Sequence, residues 1–297
     1  MIVLVRVVSV KIERLKKVII KNNVDLSLYS HMKIGGMAKK MYFPENIEDL
    51  MEVYHLDNRY IIANGSNVLI NEREFECVIN LSKMSNEIEK LDQLGRYRIG
   101  AAVKIPTMVN HINKDGYGGP EFLYCVPGTI GGAVFMNAGL GAHRGMFVSN
   151  FIESVMVYTG EDIISLSLDE CQFSYRSSVF HNKPWIILSV DFKFPEMSQE
   201  ESQKGKEERI NHCKNTQDRS GGNLGSIFCI ANGNILQLVR KLGYGKKNGA
   251  HFSKKSSDWI VNSGEGTFKE VMKCIEFVEK LHKIFRQKIK REVIIWN

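Results

Sequence analysis

Apolar positions in this chain come mostly in short, β-branched runs separated by glycine and polar turns, and helical spacing is confined to a few stretches. Residues 40–43 read as a strand, Pro44 opens a helix over 46–54, and 60–62 and 68–70 read as strands on either side of the turn Asn64-Gly65-Ser66-Asn67. Residues 77–81 and 97–103 continue the strand pattern, and 106–113 has helical spacing through Met108, Val109 and Ile112. A hairpin is predicted from 155–158 and 163–166 around Thr159-Gly160-Glu161-Asp162, followed by a strand over 185–194. From Pro195 to Arg209 apolar residues all but vanish, which predicts an inter-domain connection leading into a helix. Beyond it come a helix over 235–242 stopped by Gly243, a strand over 259–262 and a long amphipathic helix over 267–287. Phe268, Val271, Met272, Ile275, Val278 and Leu281 share one face of that helix, and a last strand over 293–296 places Glu292 at its start.

Composition narrows this little. A chain of 297 residues with 43% hydrophobic content can bury more than one core, so two or three globular units are expected. The net charge of +7 favours anionic partners, yet the Lys and Arg residues are spread along the chain. The densest basic run, 280–291, falls on the last predicted helix and reads as a solvated face rather than a nucleic-acid surface. Six cysteines at no close pair spacing argue against a zinc knuckle or a redox pair and read as reduced, mostly buried thiols, with no metal expected. The apolar residues 1–5 are interrupted by Arg6 and followed by the basic 11–17, the reverse of a secretory signal's charge order. No stretch approaches the length of a membrane span, so a cytoplasmic location with no membrane insertion is expected.

Two kinds of segment carry candidate chemistry. Glycine-rich turns, at 63–67 and at Pro127-Gly128-Thr129-Ile130-Gly131-Gly132 with Asn137-Ala138-Gly139 after it, supply backbone N–H groups and few side chains, as a bound diphosphate requires. Neither a dinucleotide fingerprint nor a P-loop is present. Widely separated polar residues follow: Tyr175 and Arg176, Ser226 in Gly225-Ser226-Ile227-Phe228, and Glu292. A guanidinium grips a carboxylate bidentately, a serine in a tight turn presents a hydroxyl as donor or proton source, and a glutamate beside it polarises a substrate. Each also has a plain structural reading: Arg176 as an ion pair, Ser226 as a turn cap, Glu292 as a solvated end residue. None of the eight histidines lies in a nucleophile-elbow setting. The residues alone define an anion- or nucleotide-binding α/β protein, with an enzyme and a binding module both open.

Resemblance goes further. The segments Ile34-Gly35-Gly36-Met37-Ala38, Asn64-Gly65-Ser66-Asn67-Val68-Leu69, Val126-Pro127-Gly128-Thr129-Ile130-Gly131-Gly132, Met136-Asn137-Ala138-Gly139, Tyr175-Arg176-Ser177-Ser178, Gly225-Ser226-Ile227-Phe228 and Arg291-Glu292-Val293 resemble, in order, the UDP-N-acetylenolpyruvoylglucosamine reductase family. The likeness runs from about Asn23 to the end and is to the short form that lacks an extra tyrosine-bearing loop. It implies an α+β fold with a two-lobed FAD-binding domain of the vanillyl-alcohol-oxidase (PCMH) type, over 1–85 and 86–197, and a C-terminal α+β substrate-binding domain over 198–297. It implies FAD as cofactor and NADPH as hydride donor, with hydride passing from NADPH to flavin and then to the enolpyruvyl methylene carbon of a UDP-sugar, leaving an enol to be protonated on the neighbouring carbon.

The resemblance assigns residues too. FAD is expected at Asn64, Gly65, Ser66, Asn67, Val68, Leu69, Gly100, Ala101, Pro127, Gly128, Thr129, Gly131, Gly132, Asn137, Ala138 and Gly139. Ser226 is expected to donate the proton, Arg176 and Glu292 to engage the carboxyl end, and Tyr175, Arg176 and Ser226 to contact substrate. A monomer is expected. Where the family continues after its Gly-Ser motif with Lys or Arg, Asn and Pro, this chain has Cys229, Ile230 and Ala231. Ser256 stands where a histidine is usual, Asp218 replaces a proline, and the stretch between Pro44 and Asn64 is short. These departures raise the alternative of a related oxidoreductase acting on another nucleotide sugar; a flavin- or nucleotide-sugar-binding protein without turnover is a further alternative, against which the retention of Arg176, Ser226 and Glu292 together argues.

Overall fold

The computed structural model describes residues 18–297, so the apolar 1–5, Arg6 and the basic 11–17 lie outside the described residues. The chain forms two compact units that interleave along the sequence: one takes residues 18–21, 41–63 and 77–210, the other 22–40, 64–76 and 211–297.

The first unit is built on a five-stranded antiparallel sheet in the order Ile163–Ser167, Ile152–Tyr158, Ile186–Lys193, Arg96–Gly100, Ile88–Lys90. The predicted hairpin is there, with Tyr158 opposite Ile163 across the four-residue turn. Alternation along Arg96–Gly100 explains which face is inward: Tyr97 and Ile99 are fully buried, while Arg98 points away and holds Asp191 with two bonds of 2.8 and 2.9 Å. Against the buried face pack Ile105, Met108, Val109 and Ile112 of the helix Ile105–Lys114, and Ile130 and Val134 of the short helix Ile130–Phe135. The helix Ile47–Tyr54 starts where Asn46 accepts the Asp49 N–H at 2.9 Å, and it buries Leu50 and Tyr54 with Tyr158 and Ile186.

The strand–turn–strand reading of 60–70 proves right in its elements. The two strands do not pair with each other, however. Arg59–Ile62 lies parallel to residues 77–80 in the first unit, whereas Val68–Ile70 lies parallel to Ile294–Trp296 in the second. The turn at 64–67 therefore carries the chain from one unit into the other. The expected connection over 195–209 also differs, being a helix from Gln199 to Thr216. Ser198 and Glu201 start it with reciprocal bonds, Glu201 N–H to Ser198 Oγ at 3.2 Å and Ser198 N–H to Glu201 Oε2 at 3.1 Å. Being polar nearly all round, it carries no apolar stripe for a periodicity reading to find.

In the second unit Phe228–Ile230 pairs antiparallel with Lys290–Arg291, and Ala250–Phe252 with Ile260–Asn262. The helices Gly233–Leu242 and Phe268–Ile284 close one core with Leu69, Ile227, Phe252, Ile260 and Val293. Gly243 ends the first of them at φ 60°, a left-handed position that costs glycine nothing. The second ends at Ile284, earlier than its predicted limit, so the basic run 280–291 is only partly helical. Its start is a capping box: Thr267 Oγ1 accepts the Glu270 N–H at 3.3 Å and Glu270 Oε2 accepts the Thr267 N–H at 3.4 Å. Thr267→Ala is expected to lower stability by about 1 kcal/mol, readable as an earlier urea midpoint at unchanged slope.

All six cysteines are free thiols. Among the described residues no helix is long and apolar enough to cross a membrane.

Candidate active site

In the first unit the Arg176 loop is the best-defined polar feature. Ser174 and Ser177 exchange backbone bonds of 3.0 and 3.2 Å, which leaves Tyr175 and Arg176 at the tip of a tight turn, Arg176 at φ 53°. A left-handed residue other than glycine or asparagine costs conformational energy, so the surroundings must hold it. They do: the guanidinium donates to the carbonyl oxygens of Asn137 at 3.3 Å and Gly139 at 2.7 Å, and lies 5.3 Å from the Tyr175 ring centroid. Asn137, itself buried and at φ 44°, sends its side-chain amide to the Ser174 carbonyl at 2.9 Å. Asn137 and Gly139, expected at the cofactor, are thus seen to fix the position of Arg176. Ser178 Oγ donates to the Phe135 carbonyl at 2.7 Å and ties the same loop to the helix Ile130–Phe135.

The glycines expected to form a cradle sort into two kinds. At Gly131 a Cβ would stand 3.1 Å from the Ala101 Cβ, and its N–H already bonds the Ala101 carbonyl at 2.9 Å. Gly100 is likewise explained by packing, since a Cβ there would run into the Ser85 carbonyl. At Gly132, by contrast, a Cβ would meet only the Thr129 hydroxyl, 3.6 Å away, among the described residues. Thr129 Oγ1 accepts the Gly132 N–H at 3.3 Å and caps the helix behind Pro127 and Gly128, while the Ala138 N–H bonds the Ala133 carbonyl at 2.8 Å beyond it.

The turn at 64–67 in the second unit needs glycine for its backbone: Gly65 has φ 60°. Its carbonyl accepts the His31 N–H at 3.0 Å, and His31 Nε2 lies 3.1 Å from the Asn64 amide. Burial, helped by the charge of Lys33, keeps the His31 imidazole below its ordinary pKa, which suits an uncharged hydrogen-bonding role. Ser66 completes the turn, and Asn67 leads into Val68 and Leu69. Asn67 also reaches Glu292: its amide donates to the Glu292 carbonyl at 3.2 Å and its own carbonyl accepts the Ile294 N–H at 3.0 Å.

The backbone brings the segments of Ser226 and Glu292 alongside each other. Gly225, at φ 74°, turns the chain, and Ser226 bridges Trp259 in antiparallel fashion. The next carbonyl, of Ile227, accepts the Glu292 N–H at 2.8 Å. Arg291 is engaged elsewhere, holding Glu279 through two bonds of 2.6 and 2.7 Å. A residue that sequence reading missed completes the group. The Asp258 carboxyl accepts the Phe228 N–H at 3.2 Å and a bond from the Ser226 side chain. Although the residue keeps some surface, its carboxyl is desolvated, and burial first, then the charge of Glu292, push its pKa up to about 8 against the lowering bonds from Phe228, Ser226 and Ile227. The only sequence signal was an acid directly preceding the predicted strand at 259–262.

The departing residues have local roles. Cys229 Sγ sits 3.5 Å from the Lys290 carbonyl, and its thiol is raised by burial and by Glu292. Ile230 is exposed. Ser256 donates to the Thr216 carbonyl. Burial alone would raise the Asp218 carboxyl, but hydroxyls of Ser220 and Ser253 at 2.6 and 2.7 Å hold it below its ordinary range.

Against known proteins, residues 38–165 match the family model described as an FAD binding domain. Curated relatives include UDP-N-acetylenolpyruvoylglucosamine reductases of Thermotoga sp. (strain RQ2), 30% identical over 91% of this chain and 91% of that one, and of Pseudothermotoga lettingae, 29% identical over 93% and 98%. In fold the chain is similar to the crystal structure of UDP-N-acetylenolpyruvylglucosamine reductase from Thermus caldophilus, with a TM-score of 0.78 at 24% identity over 94% of this chain and 100% of that one. The matched domain model and the fold define an FAD-binding protein of mixed α and β structure. More particularly, the chain belongs to the UDP-N-acetylenolpyruvoylglucosamine reductase family.

The residues present fit that cofactor: Gly65 bends the turn at 64–67, and Gly132 leaves space that a side chain would fill. Gly65→Val is expected to strain the left-handed turn by about 1–2 kcal/mol. Gly131→Leu is expected to force the helix Ile130–Phe135 off Ala101 at a cost of about 1–3 kcal/mol. Both variants should purify with markedly less flavin, as read from the ratio of visible to ultraviolet absorbance.

Proposed function

We propose that the protein is an FAD-dependent, NADPH-consuming reductase that converts the enolpyruvyl group of UDP-N-acetylenolpyruvoylglucosamine to the lactyl group of UDP-N-acetylmuramate, in the cytoplasm, for peptidoglycan precursor synthesis. The observation that carries the reading is the meeting of the turn Gly225-Ser226-Ile227-Phe228 with Glu292, whose N–H bonds the Ile227 carbonyl at 2.8 Å. A hydroxyl proton source and a carboxyl on adjoining backbone segments suit protonation of a carbon next to a carboxylate, which a binding module has no use for. FAD, when bound, supplies the hydride it has taken from NADPH.

The chain's own residues do the rest. Ser226 gives a proton to the carbon that becomes the lactyl centre. Arg176, stiffened by the carbonyls of Asn137 and Gly139, grips the substrate carboxylate and stabilises the charge that develops on it. Glu292 lies toward the same end of the substrate, with its backbone anchored by Ile227 and Asn67. Residues 1–85 and 86–197 would serve the flavin and 198–297 the sugar nucleotide, in a monomer.

An anaerobic titration tests the reading. Purified protein with bound flavin is reduced by NADPH and then mixed with UDP-N-acetylenolpyruvoylglucosamine while the flavin absorbance is followed. Bleaching followed by stoichiometric recovery supports the assignment, and bleaching without recovery rules it out.

A further inference from the structure

A serine hydroxyl is a much weaker acid than a carboxyl, so a serine that gives up a proton needs another to replace it. Asp258 is the carboxyl in place to do this. It accepts the Phe228 N–H at 3.2 Å, its backbone carbonyl accepts the Ile227 N–H at 3.1 Å, and its carboxyl shares a hydrogen bond with the Ser226 hydroxyl. The antiparallel bridge between Ser226 and Trp259, next in sequence to Asp258, fixes the two side chains from the backbone. We propose that Asp258 is the positioning residue that holds the Ser226 hydroxyl in its donating orientation and replaces the proton that Ser226 delivers. This rests on the reading that the second half-reaction ends in protonation of the substrate carbon.

The step balances as a proton relay. The Ser226 Oγ–H bond breaks as the new C–H bond forms, and the Asp258 O–H bond breaks as its proton moves to Ser226 Oγ. Ser226 ends as a neutral hydroxyl and Asp258 as a carboxylate that regains its proton from solvent. The groups around Asp258 favour the protonated resting form. Its carboxyl is desolvated, Glu292 is the charged group acting on it, and its pKa lies at about 8. Cys229, beside Glu292, is itself held in the thiol form by burial and that same charge, with Lys290 opposing, while Arg291 is committed to Glu279. Asp258 therefore carries its proton at neutral pH and loses it as the pH rises through that value.

Asp258→Asn keeps the shape and a hydrogen bond to Ser226 but has no acidic proton. In the flavin-loaded variant, reduction by NADPH should be unchanged, whereas reoxidation by the enolpyruvyl sugar nucleotide should fall roughly a hundredfold at neutral pH. The parent should lose its reoxidation rate above about pH 8, and the variant should lack that limb while Asp258→Glu restores it. Reoxidation of Asp258→Asn at the parental rate with the same limb would overturn the proposal. Infrared difference spectra of the parent labelled with 13C-aspartate give an answer even where a variant fails to fold: no protonated aspartate at neutral pH overturns it too. Failure of the parent itself to reoxidise would instead bring down the functional reading, and the relay with it.

Discussion

Ser226→Ala is expected to purify with a full complement of flavin and to be bleached by NADPH at the parental rate, yet to recover its colour on adding substrate at least roughly a hundred times more slowly. The split between the half-reactions follows from where Ser226 sits. It lies in a turn of the second unit between Gly225 at φ 74° and the strand Phe228–Ile230, with its neighbours held by Asp258 and Glu292. Removing one oxygen leaves those backbone bonds intact, so flavin content and melting temperature should hardly move. Stopped-flow absorbance separates the two steps. Equal reoxidation rates in the variant and the parent would remove Ser226 from the chemistry.

Arg176→Lys is expected to lower kcat/KM for the sugar nucleotide by roughly a hundredfold while retaining flavin. The guanidinium spans the carbonyls of Asn137 and Gly139 and lies against the Tyr175 ring, a planar arrangement that an ammonium on a flexible stem cannot copy. Because the left-handed turn at Arg176 is held by these same bonds, the lysine variant should also loosen the 174–177 loop. Steady-state kinetics with varied substrate and saturating NADPH checks this. A change confined to the NADPH half-reaction would point to another role.

Local elements were legible because local chemistry writes them. Asn46 before an apolar run, Thr267 three residues before Glu270, and Gly243 after Leu242 each mark a helix end, and each is found with the bond that the rule requires. What a strand pairs with is not written locally. Nothing in Tyr60-Ile61-Ile62 or Val68-Leu69-Ile70 says that one joins residues 77–80 and the other the last strand, since both read simply as apolar and β-branched. The helix Gln199–Thr216 was hidden for the opposite reason: Ser198 and Glu201 announce its start, but its polar surface offers no periodic stripe.

The candidate site was legible as residue types and illegible as roles. The motif around Asn137 looked like part of a glycine-rich cradle, and only the bond from its side chain to Ser174 shows it bracing the Arg176 loop. Gly100 and Gly131 looked like room for a ligand and are largely answered by Ser85 and Ala101. Asp258 carried no motif at all. Its importance comes from the register that sets Ser226 against Trp259, a long-range pairing that a single sequence does not disclose.

The parallel pairing of Val68–Ile70 with Ile294–Trp296 bears on how the chain reaches its native state. During synthesis the early strand must wait until Ile294–Trp296 has been made and has left the ribosome, and closing so long a loop is entropically slow. Until then Leu69, which ends in the same core as Ile227 and Val293, has no finished interior to enter. The second unit is thus a late-assembling one, and its exposed apolar strand in the waiting chain is the segment that a chaperone would be most useful in shielding.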